Sequence, residues 1–591
     1  KDEGRYQIEL GTKGNNLSAS VKKQIEDCNL TGIEFVESNS RYYPLGDFCS
    51  YVVGYAKSYN DQSVKKMVGE MGLELSYDKQ LKGKNGYKVY QTDANGYALV
   101  DGTLREKDPT NGNDLYLTID SGLQRNLDYL MSNAYSESGA EVVTAGVMEI
   151  KTGKILAMST YPSFNPNERN ISTFNNYFLE GTIECGSVFK PFIYADSIEE
   201  GKYDHNAYYN SGSYNVYYGN KLVATIKDHN GGQGWGTITY DQGLYHSSNV
   251  AICNLLDQGY VTKDVLTEKL NDLGFFQGDT MDGLTCSSSI NAYTRKNAGR
   301  LEYLTTGFGQ GSTVTPYQLL KAYSVFGNDG KTVQPHIVDK VVNPETNKVV
   351  YQATPKYSKQ IFSTNTISQV KDLMLGVIED EQGTGKTYRL DNDVRMIGKT
   401  GTGQVVENGG YSTTLYMHSF VGIAPYDDPQ VVMFLTFKSG DSYAQYMPNI
   451  VKQTMNEALQ VVNRYNAKNT TAVDQSCTLD SYTNQSVNYV KSKLESKSLS
   501  VQIIGNGSSV IEQYPLAKSK VTSGDKVFIK TEGKDITLPN LIGWSKKEVQ
   551  TYASLAGIQL TIDGTSGHVT AQSVGENTVV HSGDSLTVAI S

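Results

Sequence analysis

The reading of this chain turns on Gly186-Ser187-Val188-Phe189-Lys190-Pro191-Phe192. Ser187 and Lys190 stand at i and i+3, so on a helix opening here the amine and the hydroxyl share a face. A serine hydroxyl is a poor nucleophile until a base takes its proton, and a partly desolvated lysine serves once its pKa falls. The start of a helix also favours developing negative charge. Alone, such a pair is common on ordinary surfaces, but two later segments change its weight. Ser247-Ser248-Asn249, after Leu244-Tyr245-His246, supplies a hydroxyl for proton relay and an amide able to hold a peptide group. Gly398-Lys399-Thr400-Gly401-Thr402-Gly403 reads as a strand whose glycines let a substrate approach closely. S-x-x-K, S-x-N and K-T-G occur in this order, with 57 positions from Lys190 to Ser247 and 150 from Asn249 to Lys399. Competing signatures fail: neither G-x-S-x-G nor H-E-x-x-H occurs. Gly383-Thr-Gly-Lys-Thr387 imitates the tail of a phosphate-binding loop, but the position five before Gly385 is Asp380, not Gly.

Working outward, the 591 residues leave room for several domains, and 38% hydrophobic with 20% charged residues describes a globular chain. Its net charge of −10 and lack of basic runs give no footprint for nucleic acid. Six cysteines are too sparse for a disulfide scaffold. The chain opens at Lys1 and holds no apolar run long enough to span a membrane. Near the C-terminus two segments match at a constant offset of 59 residues: Val521-x-Ser523-Gly524-Asp525-x-Val527 recurs as Val580-x-Ser582-Gly583-Asp584-x-Leu586. Ser545-x-x-Glu548 predicts a capping box, with Val549, Tyr552 and Leu555 on one helix face. Each repeat is thus a short helix against a small sheet. Asn466 to Gln475 is polar and aperiodic and reads as a linker, and Asp108 to Asn113 is a turn-rich break. Between them, strand-like Val142–Ile150 and Val431–Phe437 bracket helical segments, an α/β or α+β pattern.

With its three motifs in order, the sequence resembles the class B penicillin-binding proteins, the monofunctional peptidoglycan transpeptidases. Arg41-Tyr42-Tyr43-Pro44-Leu45-Gly46, Val53-Gly54-Tyr55 and Gly72-Leu73-Glu74 look like that family's N-terminal pedestal motifs. Leu117-Thr118-Ile119-Asp120 with Gln124, Thr152-Gly153-Lys154, and Phe308-Gly309-Gln310-Gly311 look like its transpeptidase signatures, and the repeats resemble PASTA domains. The resemblance implies a multidomain α+β chain: a pedestal over 1–112, a transpeptidase domain with an antiparallel sheet flanked by helices over 113–465, a linker over 466–480, and PASTA repeats over 481–534 and 535–591.

By the same resemblance Ser187 attacks the penultimate D-Ala carbonyl of a stem peptide, and an amine of a neighbouring strand resolves the acyl-enzyme. Lys190 is the general base and Ser247 the relay, with Lys399 setting the local field. Asn249 holds the substrate amide, Thr400 and Thr402 of the Lys399-Thr400-Gly401-Thr402 motif bind its carboxylate, and the Ser187 and Thr402 backbone N–H groups form the oxyanion hole. The chemistry needs no cofactor, and β-lactams acylate the same serine. The family also implies an N-terminal single-pass anchor with the catalytic part outside the cell, and a polytopic glycosyltransferase as partner. A D,D-carboxypeptidase or penicillinase, which uses water as acceptor, and a non-catalytic wall-binding or β-lactam-sensing protein stay open at this point. The sequence departs from the family where Cys185 replaces the usual proline, and His246, the Asp228-His229 pair and Cys286 fall on segments around one cleft. Those five form the zinc ligand set expected here as a structural brace; a Cys185–Cys286 disulfide is the competing expectation.

Overall fold

The computed structural model describes residues 14, 17, 19–35, 41–61, 64–93, 98–390, 394–407, 409–469, 476–495, 497, 499–522, 525–564 and 568–590. The pedestal is built from antiparallel ribbons, Tyr55–Asp61 with Val64–Met71 and Tyr87–Thr92 with Ala98–Lys107. Its glycine motifs meet there. Gly54 and Gly72 both have positive φ (73° and 63°), and a Cβ on Gly54 would lie 1.9 Å from the Met71 carbonyl oxygen. Only two bare backbones fit at that crossing.

The catalytic domain is organised by one five-stranded antiparallel sheet. Its strands are β1 (Val142–Glu149), β2 (Ile155–Tyr161), β3 (Ile397–Glu407), β4 (Gly410–Ala424) and β5 (Val431–Ser439), in the order β3-β4-β5-β1-β2. β1 and β5 are buried along nearly their whole length, which is why they read as apolar runs instead of alternating strands. One face is covered by α1 (Ser121–Ser138) and the long C-terminal helix of this domain, Met447–Asn469; Leu127, Met131, Val451 and Met455 share that core with Val143, Met433 and Leu435. Asp120 starts α1 by accepting hydrogen bonds from the Gly122 and Leu123 N–H groups at 3.0 Å, and Gln124 clamps Met158 of β2 through both its amide atoms. The opposite face carries α2 (Lys190–Glu199), α3 (Tyr240–Tyr245), α4 (Asn249–Asp257) and α5 (Thr364–Glu379) in a second large core. β3 is left at the sheet edge, and that edge is where the motifs gather.

The Met447–Asn469 helix continues through the first residues of the expected linker, and Ser476–Thr478 already pairs with Lys520–Thr522 of the first repeat. Residues 470–475 lie outside the described residues. Both repeats place one helix, Val487–Glu495 or Lys546–Ala556, on a three-stranded sheet with one parallel and one antiparallel pair. The predicted capping box is present: Ser545 N–H donates to Glu548 Oε2 at 2.7 Å, and Val549, Tyr552 and Leu555 are buried. Ile504 and Phe528 of the first repeat join the core of the second, beside Trp544 and Tyr552. Among the described residues no helix is long and apolar enough to cross a membrane.

Candidate active site

Ser187 lies in a single 3₁₀ turn, Gly186–Phe189, and α2 begins at Lys190 with Pro191 in its first turn. The sequence pattern predicts a helix already at Ser187; the tighter turn arises because Gly186 takes φ +62° and is wedged against β3. A Cβ on Gly186 would lie 2.3 Å from the Thr402 carbonyl oxygen, one on Gly401 2.7 Å from the Cys185 carbonyl oxygen, and one on Gly403 1.7 Å from that of Glu184. Gly401 and Gly403 therefore admit the serine turn to the edge of β3. This contact lays the Ser187 and Thr402 backbones side by side, with Thr402 exposed and Ser187 half-buried.

Behind the turn, two fully buried lysines converge on one hydroxyl. Lys190 Nζ hydrogen-bonds the Ser247 carbonyl oxygen and reaches Ser247 Oγ at 3.3 Å; Lys399 Nζ reaches the same Oγ at 2.8 Å and the Thr400 carbonyl oxygen at 2.9 Å. Burial pulls Lys190 from its usual range down to about 7, only partly countered by the negative charge of Asp228. Burial and then the neighbouring Lys190 hold Lys399 well below the ordinary lysine range. A proton is thus easily removed from the pair at neutral pH. Ser247 itself sits at φ +58°, a left-handed conformation costing on the order of 1 kcal/mol for a non-glycine residue. That bend aims Oγ at both amines while its carbonyl faces Lys190.

Asp228 holds the bend. Its Oδ1 accepts from Ser248 Oγ (2.8 Å), Asn249 N–H (2.8 Å) and Val250 N–H (3.1 Å), and its Oδ2 accepts from Gly212 N–H (2.8 Å). Asn249 Nδ2 donates to the Lys227 carbonyl at 2.9 Å, and the Asn249 side chain lies on the exposed side of α4. The sequence singled out Asp228 as a metal ligand; its role as a carboxylate clamp on the first turn of α4 was not legible from its spacing.

The expected zinc set is not assembled. Among the described residues no three His, Cys, Asp or Glu side chains come together to hold a metal ion. Asp228 uses both oxygens on N–H and O–H donors, His229 Nε2 meets the His246 carbonyl at 2.9 Å, and His246 stacks on Trp235 with ring centroids 4.5 Å apart. Cys185 and Cys286 point into the apolar core instead, where burial pushes both thiols up, Cys286 to about 12. They are unpaired as well, so the competing disulfide is not formed; Cys28, Cys49 and Cys253 are also free.

The family models for the penicillin-binding protein transpeptidase domain, the penicillin-binding protein dimerisation domain and the PASTA domain match residues 143–460, 2–117, and 478–533 with 536–591. Stage V sporulation protein D of Bacillus subtilis is 30% identical over 543 residues, covering 88% of this chain and 80% of that protein. A peptidoglycan D,D-transpeptidase FtsI homolog of Mesostigma viride is 28% identical, covering 70% of each chain. The crystal structure of penicillin-binding protein 2X from Streptococcus thermophilus superposes with a TM-score of 0.67 at 25% identity, covering 100% of this chain and 89% of that one. The chain belongs to the class B penicillin-binding proteins, with a dimerisation domain, a transpeptidase domain and two PASTA domains.

Proposed function

We propose that this D,D-transpeptidase cross-links peptidoglycan stem peptides through an acyl-enzyme on Ser187. The observation that carries the reading is the convergence of Lys190 and Lys399 on Ser247 Oγ directly behind the serine turn. A neutral lysine amine has two N–H donors and one lone pair. With both donors spent on the Ser247 carbonyl and hydroxyl, the lone pair of Lys190 is left to take the Ser187 proton. Ser187 Oγ then attacks the penultimate D-Ala carbonyl, whose oxygen gathers charge between the Ser187 and Thr402 N–H groups. The proton passes from Lys190 through Ser247 to the departing D-Ala amine, and Lys399 stabilises the relay. Asn249 orients the peptide, and Thr400 and Thr402, flanking Gly401, take its terminal carboxylate. Penicillins enter as mimics of the same dipeptide.

In this reading residues 1–112 are the pedestal and 113–465 the catalytic domain, joined through 466–480 to repeats over 481–534 and 535–591. The protein works on the outer side of the cell membrane, held by a single-pass anchor and supplied with glycan strands by a polytopic glycosyltransferase.

Labelling with a fluorescent penicillin, with and without Ser187→Ala, tests the assignment. A stable adduct on the natural protein and none on the variant is expected; persistent labelling of the variant refutes the nucleophile. Release of D-Ala that rises with an added amine acceptor separates transpeptidation from carboxypeptidase action, and an adduct that decays within seconds points to a penicillinase.

A further inference from the structure

The Gly383-Thr384-Gly385 segment, whose spacing rules out a phosphate-binding loop, lies against the K-T-G strand. It leaves the C-terminal end of α5: Gly383 N–H donates to the Asp380 carbonyl at 2.9 Å and Gly385 N–H to that of Val377 at 3.0 Å. A Cβ at Gly383 would lie 2.4 Å from the Val377 carbonyl oxygen and one at Gly385 2.6 Å from Ile378 Cδ1, so glycine on both sides lets the turn fold tightly onto the helix. Thr384 is held at its apex. Its N–H donates to the Tyr245 carbonyl at 3.1 Å, which ties the turn to the S-x-N segment. Its Oγ1 receives the Thr400 hydroxyl at 2.9 Å, and its side chain is half-buried.

A hydroxyl carries one proton and two lone pairs. With its proton spent on Thr384, Thr400 presents only lone pairs to the cleft, whereas a carboxylate accepts hydrogen bonds and donates none. We propose that Thr384 is a positioning residue whose hydrogen bond holds the Thr400 side chain in the rotamer that meets the carboxylate of the substrate or β-lactam. On binding, the Thr384 O–H turns onto Thr400 Oγ1 and the Thr400 O–H turns onto the carboxylate, so the threonine pair keeps its mutual hydrogen bond. This inference rests on the reading of Thr400 as a carboxylate-binding residue. It makes Thr384 a determinant of ground-state binding, with no part in the proton transfers around Lys190.

The test is acylation of the whole chain by benzylpenicillin and by its methyl ester, followed by competition with a fluorescent penicillin. The concentration dependence separates the dissociation constant of the first complex from the acylation rate. For benzylpenicillin, Thr384→Val is expected to raise the dissociation constant about threefold, the scale of ordering one freed side chain on binding, with the acylation rate within about twofold. Thr384→Ser should restore binding, and the methyl ester should not distinguish Thr384→Val from the natural protein. If Thr384→Val does not fold, judged by its thermal melt, Thr384→Ala carries the same comparison. A dissociation constant unchanged in Thr384→Val but raised in Thr400→Val overturns the role of Thr384 and leaves that of Thr400. If Thr400→Val also leaves it unchanged, or if acid and ester lose affinity equally, the carboxylate reading itself falls.

Discussion

If the amine of Lys190 is the base, the acylation rate follows its neutral fraction. With its pKa held at about 7 by burial, that fraction is about one tenth at pH 6, half at pH 7 and nine tenths at pH 8, so the second-order rate rises about tenfold over two pH units. An ordinary exposed lysine, titrating near 10.5, would give a rise of about a hundredfold over the same range with no plateau. The plateau above neutrality is therefore the signature of the buried site. Asp228 supplies a second handle. Its negative charge favours the protonated amine, so Asp228→Asn removes a stabilising charge, lowers the Lys190 pKa and moves the midpoint of the profile to lower pH. The assay is stopped-flow acylation by a fluorescent penicillin between pH 5.5 and about 9.5, with the fold checked by circular dichroism at each end. A flat profile, or a midpoint that moves upward in Asp228→Asn, refutes the assignment of Lys190 as base.

Three further outcomes follow from the same contacts. Lys190 binds a proton less readily in the folded protein than when exposed, so the unfolded chain holds more protons between about pH 7 and 10.5 and stability rises with pH across that window; Lys190→Met should abolish acylation yet raise the melting temperature at pH 7. Gly403→Ala places a methyl group 1.7 Å from the Glu184 carbonyl oxygen, and separating β3 from the serine turn should cost about 3 kcal/mol and acylation with it, read by denaturant melts and penicillin labelling. Phe528 is buried between the repeats near Trp544, over which Lys526 Nζ lies 3.5 Å from the ring centroid. Phe528→Ala should cost about 3 kcal/mol within the repeats and split their unfolding in calorimetry, leaving penicillin acylation unchanged.

Residue type and order were enough to single out the family here, because S-x-x-K, S-x-N and K-T-G each need particular side chains in a fixed order. The repeats and the capping box at Ser545 were legible for a similar reason: their signals lie within a few residues of one another. What escaped the sequence is whatever depends on a neighbour far along the chain. Ser247 looks like any other serine until its backbone, clamped by Asp228, proves to be left-handed. Cys185 and Cys286 read as soft ligands, yet the turn that presents Ser187 to the cleft leaves the adjacent Cys185 side chain in the core. The K-T-G glycines and the Gly383-Thr384-Gly385 turn share this property in a sharper form. In each, the glycines matter for a carbonyl oxygen or side chain packed against them, and the hydroxyls of Thr400 and Thr384 join the two segments. A short glycine-threonine run beside a catalytic motif is therefore better read as two backbones brought to contact distance than as a flexible loop. The mechanical consequence follows at once: the serine turn, the K-T-G strand and the end of α5 cannot shift independently without parting Gly186 from Thr402 or breaking the Thr400–Thr384 hydrogen bond.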